Sequence, residues 1–317
     1  TDASSVTIDR TAPGASWTPP SSPTNSSSLS YTLTFTESVS GIAAGDFSNT
    51  GTATGCTFTP SSASGTVITV TVDSCSEGTV VVRLASGSVT DQAGNTGPSS
   101  NTDASSVTID RTAPGATITA PSSPTNSSSL SFTVTFTESV SGIAAGDFSN
   151  TGTATGCVFT PSASSGTSIT LTAASCSEGT LVVRLASGAV ADLAGNSGPA
   201  SNVDSSSVTI DRSAPAPSSF TRTDSSGSPV KSLTGLSYTL QFSEAVATSG
   251  ITTSSFTNAG TATSCTFTPT AVSASGGYAS SYTVAVSGCA NTSSATIQPR
   301  LAANQGTDSS GNSSTSG

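Results

Sequence analysis

The sequence predicts an all-β chain, a tandem array of three antiparallel two-sheet sandwiches, and three observations carry that prediction. First, TDASSVTIDRTAP occupies Thr1–Pro13 and returns unchanged at Thr102–Pro114, with a looser copy, VDSSSVTIDRSAP, at Val203–Pro215. Asp9, Asp110 and Asp211 thus recur every 101 residues, a period of whole domains, since solenoid repeats run roughly 20–50 residues. Second, apolar and hydroxylated residues alternate in runs such as Tyr31-Thr32-Leu33-Thr34-Phe35 and Ile68-Thr69-Val70-Thr71-Val72. That is the pattern of strands with one buried face, and it separates the chain from a disordered Ser/Thr-rich stalk. Third, the connections are rich in Gly, Pro, Ser and Asn, and helix-forming stretches are hard to find.

Within the first repeat seven strands are expected: A near 15–18, B over 29–38, C over 42–49, D over 54–60, E over 67–73, F over 79–86 and G over 105–109. Seven short strands in about 100 residues imply a sandwich of immunoglobulin type. The inward set reads Leu33, Phe35, Phe47, Phe58, Ile68, Val70, Val80, Val82, Leu84, Val107 and Ile109. Counterparts recur as Phe136, Phe148, Phe159 and Leu185, then as Phe242, Phe256, Phe267 and Leu301. The expected domains are 11–110, 111–211 and 212–317, the last incomplete and with longer loops.

The segment 1–10 repeats strand G of the first repeat, yet stands ahead of any domain of its own. The third repeat reaches DSSGNSSTSG, the loop before G, and carries no G strand after it. Two arrangements fit. The chain is one window of a longer tandem array, or Val6 and Ile8 are donated as a strand to the third sandwich of a neighbouring copy. A frayed tail with a six-stranded third domain is the bland alternative, and it leaves an unpaired edge.

Six cysteines fall two per repeat, Cys56 with Cys75, Cys157 with Cys176 and Cys265 with Cys289. A hairpin turn midway would fall at Gly65-Thr66, Gly166-Thr167 and Gly276-Gly277, all glycine-containing. Cross-strand pairing then predicts three disulfides, each stabilising by roughly 3 kcal/mol. Such bonds place the chain outside the cytosol, in an extracellular or cell-surface setting.

A net charge of −10 with one lysine, Lys231, argues against nucleic acid and anionic membranes as partners. No stretch approaches the ~20 apolar residues of a membrane span. With no histidine, Ser–His and Cys–His nucleophiles are excluded, and no enzyme is expected. The scarcity of lysine also removes a Lys–Asn isopeptide crosslink from the first two repeats.

What recurs instead is acidic. Each repeat has a linker aspartate (Asp9, Asp110, Asp211), a glutamate at the end of strand B (Glu37, Glu138, Glu244) and a D-x-x-G-N loop between F and G. That loop supplies Asp91 with Asn95, Asp192 with Asn196 and Asp308 with Asn312. In a seven-strand sandwich these groups meet at the end where the chain enters, and hard oxygen ligands of this kind suit calcium. The competing readings are a plain Asp-Gly turn, a solubilising linker aspartate, and Glu37 paired with Arg10 or Arg83. Arg83, Arg184 and Arg300 read as strand-surface charges, and Trp17 as a packing residue of strand A. N-x-S/T sequons stand at Asn25, Asn126, Asn291 and Asn312.

The pattern LTFTESVSGIAAGDFS, GTVVVRLASGSVTDQAGN and VTIDRTAP resembles the bacterial Ig-like repeats of large adhesins and other surface proteins. The likeness runs through all three repeats. It implies an extracellular, end-to-end array of β-sandwiches, frequently stiffened by calcium at the junctions. The leading functional expectation is a structural unit of an extracellular filament or stalk. Its partners would be copies of itself, joined head-to-tail by strand complementation or by covalent repetition. The alternative is an adhesin segment gripping a ligand through the longer loops of the third repeat, 229–236 and 271–281. Near-identity of the first two repeats, loops included, favours scaffold over recognition. A Thr-rich ice- or mineral-binding face would need in-register Thr ladders, which appear only locally.

Overall fold

The computed structural model describes residues 4–225, 227–233, 235–290 and 294–314. The chain is all-β, with antiparallel sheets packed in sandwich-like pairs and only short 3-10 turns between them. The first repeat contains β1 (Ala15–Thr18), β2 (Ser28–Ser40), β3 (Phe47–Asn49), β4 (Thr57–Pro60), β5 (Ser64–Asp73) and β6 (Gly78–Val80). It continues with β7 (Val82–Leu84), β8 (Val89–Asp91), β9 (Thr96–Gly97), β10 (Thr102–Asp103) and β11 (Val107–Ile109). One sheet runs β4-β5-β2-β8-β9, with β1 also on β2; facing it are β10-β7-β3 and the pair β11-β6. The second repeat reproduces this arrangement strand for strand.

The alternation sets the burial. Along β2, Leu29, Tyr31, Leu33 and Phe35 point into the core while the intervening residues face outward or sit half-buried. Ile68, Val70 and Val72 meet them from β5, and Val80, Val82, Leu84, Val107 and Ile109 from the opposite face. Of the expected inward set, Phe58 alone is only half-buried. Each fully buried Val, Leu, Ile or Phe contributes about 1.5–3 kcal/mol, so the alternating strands supply the main driving force. Trp17 packs edge-on against Tyr31 and Phe47, and its Nε1 donates to Thr102 O at 3.0 Å.

Several elements differ from the sequence expectation. Strand C shrinks to Phe47–Asn49, because Ala44–Asp46 turns as a 3-10 segment closed by Asp46 Oδ2 accepting from Ala43 N. Strand F divides at Val81, whose N–H donates to Asn49 Oδ1 rather than to a strand neighbour. The D-x-x-G-N loop is the turn of an unforeseen hairpin, β8–β9, and β8 docks on the end of β2 with Val39 opposite Asp91.

All three disulfides are formed, Cys56–Cys75, Cys157–Cys176 and Cys265–Cys289. In the first two repeats the last ladder contacts of this hairpin are Ser61 with Thr69 and Ser162 with Thr170, so the turn centres on Gly65 and Gly166, as expected. Gly65 and Gly166 sit inside the second strand at φ of 135° and 134°, opposite Val39 and Val140 where the register slips. The cysteines still meet because Ser74 and Ser175, at φ of 61° and 60°, insert one left-handed residue before the second cysteine. In the third repeat Gly276-Gly277 is the turn, as expected.

The third repeat has a four-stranded sheet of Pro217–Arg222, Ser237–Ala247, Tyr278–Ser287 and Thr266–Val272, faced by Phe256–Asn258 paired with Pro299–Leu301. Its buried cluster is separate from those of the first two repeats. Among the described residues, no strand occupies the positions that β10 and β11 hold in the first repeat. Residues 4–10 were expected as a strand that completes another sandwich; in this chain they form no strand, and Val6 and Ile8 are 85% and 72% exposed.

Candidate metal centres at the repeat junctions

The linker leaves one repeat as its last strand and enters the next as a tether. β11 pairs antiparallel with β6, and on its other side Thr24 N donates to Thr108 O while Asp110 N donates to Thr24 O, both at 3.0 Å. Arg111 then clasps the repeat it is leaving, donating to Cys75 O at 3.0 Å and Ser26 O at 2.9 Å. Glu77 accepts from Arg111 N at 2.7 Å and from Thr112 Oγ1. Arg212 and Glu178 repeat this clasp one junction later.

Each linker aspartate meets the glutamate and loop aspartate named from the sequence. Carboxylate oxygens of Asp9, Glu37 and Asp91 lie within 4.8 Å of one another, as do those of Asp110, Glu138 and Asp192, and those of Asp211, Glu244 and Asp308. The glutamates are placed by the register slip in the long strand, Thr34 to Val39 in the first repeat and Thr135 to Val140 in the second. The loop aspartates are buried, held where β8 and its counterparts pair with that strand's end.

The asparagines act as braces. Asn196 N donates to Asp192 Oδ1 at 2.8 Å, and its Nδ2 donates to Asp192 Oδ2 at 2.7 Å and to Asp110 O at 3.0 Å. Asn95 and Asn312 make the same contacts to Asp91 and Asp9, and to Asp308 and Asp211. With Nδ2 committed, the amide oxygen is the side-chain atom each retains for a cation.

Titration behaviour follows from this crowding. Burial, then the charges of Asp91 and Asp9, raise the Glu37 carboxyl above its ordinary range. Glu138 is raised by burial and by Asp192 and Asp110, and Glu244 by burial and by Asp211, Asp308 and Glu178. Asp91 is lowered, chiefly by the Asn95 side-chain hydrogen bond. At Asp192 burial pushes upward, but hydrogen bonds from Asn196, Gly195 and Ala194 leave it lowered. Three oxygen-bearing side chains, one of them buried and two crowded against it, fit a hard divalent cation such as calcium, which completes its shell with backbone or water oxygens.

Sequence reasoning missed part of the junction. Asn25 N donates to Ala194 O at 3.2 Å and Asn126 N to Ser310 O at 3.1 Å, so the loop before β2 reaches the D-x-x-G-N turn of the following repeat. The Arg111–Glu77 clasp was also missed, although Arg10, Arg111 and Arg212 share the 101-residue spacing. Among the described residues, Glu37 forms no ion pair with Arg10 or Arg83. Arg83 binds Asp103 through Nε and Nη2, both at 2.7 Å, and Arg184 binds Asp204 alike. Of the sequon asparagines, Asn25 and Asn126 stand at junctions and Asn312 is buried in one, whereas Asn291 lies outside the described residues.

Residues 110–210, the middle repeat, match the bacterial Ig-like domain family. None of the curated proteins compared with the sequence matches it. Among solved structures, a marsupial T cell receptor aligns over 92% of this chain and 100% of its own, at 11% identity and a TM-score of 0.28. The surface layer protein SbsC, domains 1-6, aligns over 96% of this chain and 58% of its own, at 15% identity and a TM-score of 0.22. Likenesses this distant say nothing about function.

Proposed function

We propose that the chain is a non-catalytic structural unit of an extracellular filament or surface stalk, whose repeats are joined end to end and stiffened at each junction by calcium. The observation that carries this reading is the threefold recurrence of one junction: the same carboxylate triad, the same asparagine brace and the same linker path. A surface built for recognition gains from loops that differ, whereas a rod gains from joints that are alike. Disulfides in every repeat suit an oxidising exterior. A cation that neutralises three crowded carboxylates removes their mutual repulsion and ties the linker of one repeat to two loops of the next.

The units are joined either by strand complementation between copies or by covalent tandem repetition. The adhesin alternative rests on the longer loops 229–236 and 271–281 of the third repeat; Pro229, Val230, Leu233 and Leu236 of the first line a groove.

Two measurements test the reading. Antibody against the chain should label intact cells, and electron microscopy of the purified chain should show elongated particles. Labelling only after lysis, or globular particles with freely varying repeat angles in calcium, would overturn it.

A further inference from the structure

The registers of the long sheets bring together what the sequence shows only locally: a row of hydroxyl side chains crossing neighbouring segments at one level. In the first repeat Thr18 stands opposite Thr32, Thr32 opposite Thr69, and Ser61 beside Thr69. The second repeat places Thr119, Thr133, Thr170 and Ser162 in the same order. In the third the row is threonine throughout, Thr221, Thr239, Thr283 and Thr270. Each row advances by about 4.7–4.9 Å per step, on the face of the sheet turned away from the core.

Three features separate these faces from ordinary strand surface. Among the described residues, the threonine hydroxyls of the rows make no hydrogen bond within the chain. Threonines elsewhere spend theirs internally, as Thr52 does on Thr79 and Thr54 on Ser76. The flanking rows are also free of charge. In the first repeat they read Ser16, Thr34, Val67 and Ser30, Thr71, Thr59. The same levels in the other two repeats hold no Asp, Glu, Lys or Arg either, in a chain of net charge −10. Finally, methyl groups accompany the hydroxyls. Val67, Val158 and Val272 are 59%, 56% and 44% exposed on these faces, and valine has the outline of threonine.

We infer that these faces bind a regular solid lattice of water, the surface of ice. Such a surface is an uncharged array of hydrogen-bond donors and acceptors at fixed spacing, and a hydroxyl both donates and accepts. β-branched side chains are stiff at χ1, so the sheet presents each methyl and hydroxyl in a fixed place and little ordering remains to be done on contact. The methyls gain by shedding water. A mineral lattice of ions calls for charged groups, which the rows lack. A sugar polymer is gripped by exposed aromatic faces, and every aromatic ring of this chain is buried or half-buried. Ice binding needs no filament, and labelling of intact cells reports on the structural role separately.

The test grows ice slowly in a solution of the full chain. The ice should take up the chain, and its freezing point should fall below its melting point. Replacing Thr69, Thr170 and Thr283 together with lysine, one in each row, should lower the ice-bound fraction at least about tenfold. Ser48→Lys, Ser149→Lys and Thr257→Lys add the same charge at exposed positions of the facing sheets, and together they should leave ice binding unchanged. The two variants are compared at matched circular dichroism. Exclusion of the unaltered chain from ice, or equal loss in both variants, would overturn ice binding. So would retention on cellulose or chitin, or a lateral dimer broken by the row variant, without uptake into ice.

Discussion

Asn196 Nδ2 donates across the repeat boundary to the main-chain oxygen of Asp110 at 3.0 Å while also holding Asp192 at 2.7 Å. One amide group thereby fixes the loop of one repeat to the linker from the other. Replacing Asn196 with alanine should cost about 1–3 kcal/mol, since Oδ2 of the buried Asp192 loses its side-chain donor while Oδ1 keeps the main-chain one. Denaturant unfolding of the full chain reads this as an earlier transition for the middle repeat, with the disulfides intact. An unchanged midpoint would assign the brace no energetic role.

Calcium should raise the melting temperature, and chelator should reverse the rise. Glu138→Gln removes one charge from the triad with Asp110 and Asp192. It should abolish the calcium response of that junction while raising the metal-free melting temperature by roughly 1–3 °C, as relief of a modest surface repulsion would. A chain indifferent to both calcium and chelator would exclude the metal.

The metal-free chain should be more stable near pH 4 than near pH 7, as far as the junctions contribute. Glu37, Glu138 and Glu244 titrate above their ordinary range. Their contribution is therefore complete below about pH 4.3 and is lost as pH rises through the raised values. Asp91 and Asp192 titrate below theirs; their contribution is present above about pH 3.9 and is lost on further acidification. Thermal melts across pH 3–8 should show this decline toward neutrality, and calcium should remove it. A metal-free curve that rises steadily to pH 7 would contradict the assignment of crowded carboxylates.

Each disulfide closes a short hairpin. Replacing Cys157 and Cys176 with serine should lower the stability of the middle repeat by about 2–4 kcal/mol, read from denaturant midpoints. A loss confined to the middle transition is expected, because the three buried clusters are separate.

The fold was legible because its signals are local and repeated. Alternation located β1 to the residue, and found β2 and β5 to within a few positions at their ends. Cysteine spacing gave the bridges and the turn centre at Gly65; hidden from it were the second role of Gly65, opposite Val39 at a register slip, and the left-handed Ser74 that brings Cys75 to Cys56. The acidic triads were legible because three copies of one spacing cannot easily arise as isolated turns. What stayed hidden depends on contacts distant in sequence. Nothing near Val89–Asp91 announces that it pairs with Val39, and nothing near Asn25 announces a bond to Ala194. Glu77 reads as a loop charge until Arg111 is seen beside it.

The most direct test of the central claim, that a cation at each acidic triad stiffens the junction between repeats, is small-angle scattering of the full chain with calcium and then with chelator. Calcium should narrow the distribution of distances between the repeats, and chelator should broaden it again. A distribution that calcium leaves unchanged would contradict the claim.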